Sequence, residues 1–165
     1  MADPVTFLKG IYATAEVGNC SGFLKQVAKE LGILGVDKAV PEDRANQIIE
    51  YISSRSEFWT YIGVGKTDGV KAATEASKGY FVVAVLKGSE HSDHREAGHV
   101  AIVLPPPTLD LYPYVICSGG KYGSSDGSKA VYTPKVFGVW KEEDAANVKY
   151  YETKTTFAQL TSGAN

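Results

Sequence analysis

Cysteine is scarce in this chain of 165 residues, which has only Cys20 and Cys117. Two cysteines make at most one bridge, and no CxxC pair occurs, so a disulfide scaffold, a zinc ribbon and a thioredoxin-like redox pair are excluded. Long apolar runs are also lacking; none nears the roughly 20 residues of a membrane-spanning helix. The opening residues, MADPVTFLKG, lack the basic and then apolar pattern of a cleaved secretory leader. The expectation is therefore either a cytosolic protein or one exported by a route that reads no such leader. Charge of one sign is not in excess: 17 Lys and Arg stand against 19 Asp and Glu. That balance removes the basic footprint needed for nucleic acid or an anionic membrane surface, and neither is expected as a partner. There is no internal repeat and no linker, and the length fits one domain spanning 1–165.

What is present divides by period. Apolar residues recur at helical spacing in the first half. Phe7, Leu8, Ile11, Tyr12 and Ala15 follow Asp3 and Pro4; Phe23, Leu24, Val27, Ala28 and Leu31 follow Asn19 and stop at Gly32; Ala45, Ile48, Ile49 and Ile52 follow Pro41. A weaker helix is expected over 67–78, ending at Gly79. Beyond that glycine the pattern becomes strand-like: YFVVAVL (80–86), HVAIVL (99–104), YVIC (114–117), KVFGVW (135–140) and VKYYETK (148–154), with a Gly- and Ser-rich loop over 118–128. Helices first and an antiparallel sheet after them define an α+β class.

One short stretch, GNCSGF (18–23), places Cys20 at a helix start instead of on an apolar stripe. Asn19 is a favoured N-cap type, so Cys20 falls in the first turn. Unpaired N–H groups and the positive end of the helix dipole favour a thiolate there. Ser21 and Gly22 are small and leave room for a substrate carbonyl near those N–H groups, as an oxyanion hole requires. A lone cysteine is more often a small buried hydrophobe; the position off the Phe23/Val27/Leu31 stripe argues against that role.

A thiol nucleophile needs a base, and there are three histidines. His91 and His94 lie in SEHSDHREAG, which has no apolar period and reads as a solvated loop. His99 opens an apolar strand directly after Gly98, which leaves space beside it. Strand alternation puts His99, Ala101 and Val103 on one face and Val100, Ile102 and Leu104 on the other. With the Cys20 helix packed on this sheet, His99 is the candidate base. A second arrangement stays open: His91, Asp93, His94, Glu96 and His99 are a ligand set for a metal-dependent hydrolase. So does a third, a non-catalytic module in which the Tyr-rich and Gly/Ser-rich second half binds glycan or peptide.

NCSGFLKQVAKELG, followed by GYFVVAVLKG, GHVAIVL and YPYVICSGG, resembles family 1 of the type VI secretion amidase effectors, small relatives of the NlpC-type, papain-like cell-wall peptidases. The likeness runs from about Asn19 to Trp140. It implies a papain-like fold in which a helix starting at the nucleophile, Cys20, packs on a sheet carrying the base, His99. It implies hydrolysis of an amide of the peptidoglycan stem peptide, the γ-D-glutamyl-meso-diaminopimelate bond, with no metal or organic cofactor. It also implies loading into a secretion apparatus without a cleaved leader, action in the periplasm of a target bacterium, and a cognate immunity protein in the producer. At the place where the wider superfamily orients its histidine with His, Asn or Gln, this chain has Cys117.

Overall fold

The computed structural model describes residues 4–14, 19–33, 44–105, 113–117, 132–133 and 139–162. Three helices come first: α1 (Pro4–Thr14), α2 (Cys20–Glu30) and α3 (Ala45–Ser54). Strand β1 (Trp59–Val64) and helix α4 (Gly65–Ser77) follow. Then come β2 (Tyr80–Leu86), a 3₁₀ turn at Gly88–Glu90, β3 (His99–Leu104), β4 (Tyr114–Ile116), β5 (Tyr132–Thr133), a short helix α5 (Glu142–Ala145), β6 (Lys149–Thr156) and a last helix α6 (Phe157–Thr161). The strands form one antiparallel sheet in the order β1-β6-β2-β3-β4-β5. No helix among the described residues is long and apolar enough to cross a membrane.

The unbroken apolar run of β2 has a direct cause: both of its faces are covered. Phe81, Val83 and Val85 join Val100, Ile102 and Leu104 of β3 in a core shared with α1, α2 and α3. Val82, Ala84 and Leu86 join Ala101 and Val103 in a second core with Ala72 and Ala76 of α4 and with Trp140. The small alanines of α4 let that helix lie close to the sheet. On α2, Phe23, Leu24, Val27 and Ala28 are buried, and each large side chain contributes roughly 1.5–3 kcal/mol by leaving water. That packing fixes the axis of α2, and hence where Cys20 sits.

The expected helices and the strands at 80–86, 99–104, 114–117 and 148–154 are present, with ends shifted by a residue or two, so the α+β class holds. The sheet nevertheless starts before α4. β1 was not expected because it is an edge strand with Tyr61 and Val64 exposed and a register shift between Tyr61 and Gly63, which together erase any apolar alternation. The expected strand at 135–140 is corrected at its end: Val139 and Trp140 are not in a strand but are buried in the second core. Positions 134–138, the loop at 118–128, the cap at Asp3, Ala15 and the helix start at Pro41 lie outside the described residues.

Candidate active site

Asn19 caps α2 as its residue type implies. Its Oδ1 accepts the Gly22 N–H at 2.8 Å and the Ser21 hydroxyl at 3.1 Å. A Cβ on Gly22 would come within 2.7 Å of Asn19 Nδ2, so this cap closes only over glycine. Cys20 is the first helical residue and is half-buried. Burial pushes its thiol above the ordinary value, against the opposing pull of the N–H groups of Val100, Ser21 and Cys20 itself. The helix start therefore stabilises a thiolate once formed but does not by itself ionise the thiol. A proton acceptor is required.

The Val100 N–H beside the sulfur belongs to the peptide that links His99 to Val100, so Cys20 touches β3 one residue from the candidate base. His99 is half-buried and pairs with Leu86 across the β2–β3 ladder. Its ring packs edge-to-face on Trp140, with centroids 5.3 Å apart and planes at 78°. Nε2 is enclosed and has no hydrogen-bond partner among the described residues. Helix α2 lies on the Val100/Ile102/Leu104 face of the sheet, while the ladder places His99 with Leu86, Ala101 and Val103 on the other. Thiol and imidazole thus approach the start of β3 from its two sides, and no hydrogen bond joins them in the free protein. Catalytic hydrogen bonds of this kind often tighten only with substrate bound.

Gly98 was expected to leave open space; it is buried. A Cβ there would meet Asn46 Oδ1 at 2.5 Å and the Leu86 carbonyl at 2.8 Å. Asn46 of α3 donates from Nδ2 to the Glu96 carbonyl and accepts the Gly88 N–H at 3.0 Å. It thus ties together the two ends of the 88–97 segment, and Gly98 is what lets it approach. Cys117 is buried in the second core, on the same face as Ala101 and Val103. Neither cysteine is in a disulfide, and the Cys117 sulfur is not a partner of His99 Nε2.

The reading of 91–94 as a solvated loop holds for His94, which is exposed with Nδ1 3.1 Å from the Ser89 carbonyl. It fails for His91, which is only 2% exposed. His91 Nδ1 lies 3.3 Å from Oδ2 of Asp144, itself buried, and Oδ1 of that carboxylate accepts the Ser92 N–H at 2.7 Å. Burial lowers the His91 imidazole below its ordinary value, and nearby Arg95 adds to this, against the pull of Asp144 and Asp93. Arg95 makes a two-pronged pair with Asp93 at 2.8 and 3.0 Å, and Lys141 reaches the same carboxylate at 3.3 Å. The segment is therefore a built clamp onto α5. Among the described residues no three His, Cys, Asp or Glu side chains are placed to share a metal ion. The signal that was missed is Asp144, which in sequence is one acid of three in KEED.

A cavity of about 250 Å³, lined by residues that include Gly32, Ile33, Phe58, Lys154 and Leu160, opens at the far end of α2 from Cys20 and has no part in the chemistry described.

A thiol on a capped helix start thus touches the strand that opens on a histidine, and these are two side-chain types that thiol-dependent acyl transfer uses. No family model matches the chain. It is 33% identical over 141 residues to "Peptidoglycan amidase Tse1" of Pseudomonas aeruginosa, a match covering 84% of this chain and 77% of that protein. The chain belongs to the type VI secretion peptidoglycan amidase effector family that Tse1 represents.

Proposed function

We propose that this chain hydrolyses an amide of the peptidoglycan stem peptide, with Cys20 as nucleophile and His99 as general acid and base. The observation that carries the reading is the Asn19-capped helix start whose first residue, Cys20, has its sulfur against the His99–Val100 peptide. Kinship to a protein named as a peptidoglycan amidase supports the substrate class.

The imidazole takes the thiol proton as sulfur attacks the amide carbonyl. Because burial holds the thiol protonated, this transfer is part of the activation and not a spectator to it. The Asn19 side chain fills the space beside Gly22 and holds its N–H, so the N–H groups of Cys20 and Ser21 at the start of α2 receive the negative oxygen. The imidazolium then protonates the departing amine, and the C–N bond breaks to leave a thioester on Cys20. His99 next removes a proton from water, which attacks the thioester; the acid product leaves and the thiol is restored. The mechanism uses no cofactor.

The bond proposed is that between γ-D-glutamate and meso-diaminopimelate. The protein reaches it after delivery by a secretion apparatus into the periplasm of a target cell, and a cognate immunity protein guards the producer. Mass spectrometry of muropeptides from digested sacculi tests the bond: the expected new products end in D-glutamate and begin with diaminopimelate. Products cut elsewhere contradict that assignment.

A further inference from the structure

Among the described residues no side-chain hydrogen bond sets the orientation of His99, yet a proton-transfer group has to be held. Two observations bear on what holds it. Nε2 is enclosed and without a partner among the described residues, so that side of the ring is turned into the protein, and the exposed part of this half-buried residue is elsewhere. The ring meets Trp140 in the edge-to-face arrangement that aromatic pairs prefer. Trp140 is only 1% exposed, and its own Nε1 is likewise buried with no partner among the described residues, so the indole serves neither solvent nor another described polar group.

Trp140 is also held firmly. It packs with Val139, Ala145, Val148 and Tyr150 in the second core. The next residue, Lys141, reaches Asp93, and α5, which begins one residue later, is gripped by the buried His91–Asp144 pair. The 88–97 segment thereby anchors the indole, and the indole bounds the imidazole.

We propose that Trp140 is the positioning residue for His99: its π-system receives the buried Nε2–H, the place a carboxamide oxygen takes where one is present. An N–H directed at an aromatic face is a weak bond, but in an enclosed wall it fixes both ring plane and tautomer. Nε2 carries the hydrogen, and Nδ1 is left as the basic nitrogen for the thiol. The proposal rests on His99 being the base.

The test combines kinetics with a spectrum. Trp140→Leu is expected to fold, to keep KM and to lose about 10- to 100-fold in kcat, the scale of a misplaced catalytic group. Trp140→Phe, which restores an aromatic face, is expected to recover most of that loss. Cys117→Ala is expected to lower kcat less than Trp140→Leu does. In the unmodified protein, the imidazole resonances that vanish in His99→Ala should show ring-current displacement and a single tautomer with Nε2 protonated. A folded Trp140→Leu with unreduced kcat, or Phe and Leu variants losing activity equally, overturns the proposal. So does a spectrum with Nδ1 protonated or without ring-current displacement, which decides the matter even if Trp140→Leu fails to fold. If His99→Ala itself retains turnover, it is the assignment of the base that falls.

Discussion

His91 and Asp144, 53 positions apart in the chain, meet in the interior with Nδ1 and Oδ2 separated by 3.3 Å. The pair joins the segment between β2 and β3 to the short helix α5, two residues after Trp140.

That pair makes stability depend on pH in a definite direction. His91 has a folded-state value below its ordinary one, chiefly through burial. Below about pH 6.5 the unfolded chain therefore takes up a proton that the folded chain refuses, and stability falls as pH drops. Asp144 acts the same way at lower pH. Burial alone would raise its carboxyl, but Ser92 and His91 hold it below the ordinary value, so the stability it adds is lost only as pH falls through that lower value. The melting temperature is expected to fall from pH 7.5 to pH 5, and less steeply in His91→Gln. Removing one partner, as in Asp144→Ala, is expected to cost about 1–3 kcal/mol. Parallel pH slopes for the parent and His91→Gln would show that the pair does not act this way.

The cap of α2 is expected to matter for both stability and rate. Asn19→Ala removes the acceptor of the Gly22 N–H and is expected to destabilise by about 1 kcal/mol, with turnover lowered because the first turn carrying Cys20 loosens. Asn19→Asp keeps an acceptor and is expected to retain stability. Gly22→Ala drives a methyl group into the Asn19 side chain and is expected to be worse than either. Denaturant melts together with activity on sacculi rank the three; an Asn19→Ala protein equal to the parent in both contradicts this role.

Much of this was legible in the residues. A buried strand shows as YFVVAVL because both faces are covered, and a helix start shows as NCSG because its cap and first turn are local chemistry. The candidates Cys20 and His99 come from the same kind of reading, each from its immediate neighbours. What escaped depends on contacts far apart in the chain. Nothing near His91 announces Asp144, and nothing near Trp140 announces His99. Strand β1 was hidden because an edge strand with exposed Tyr61 needs no apolar alternation. Gly98 reads as open space in the sequence because a missing side chain looks the same whether the vacancy is left empty or, as here, filled by Asn46.

The central claim is that Cys20 attacks and His99 moves the proton, and the most direct measurement is release of muropeptides from sacculi by three purified proteins. Cys20→Ala and His99→Ala should both fold, with melting temperatures near the parent's, since each side chain is half-buried at an element's first residue. Each is expected to release product at least about 10³-fold more slowly than the parent, as is typical when the nucleophile or its base is removed. Treating the parent with iodoacetamide should reproduce the Cys20→Ala result and leave one modified residue at position 20, Cys117 being buried. Folded Cys20→Ala protein that releases muropeptides at a rate near the parent's would contradict the mechanism outright.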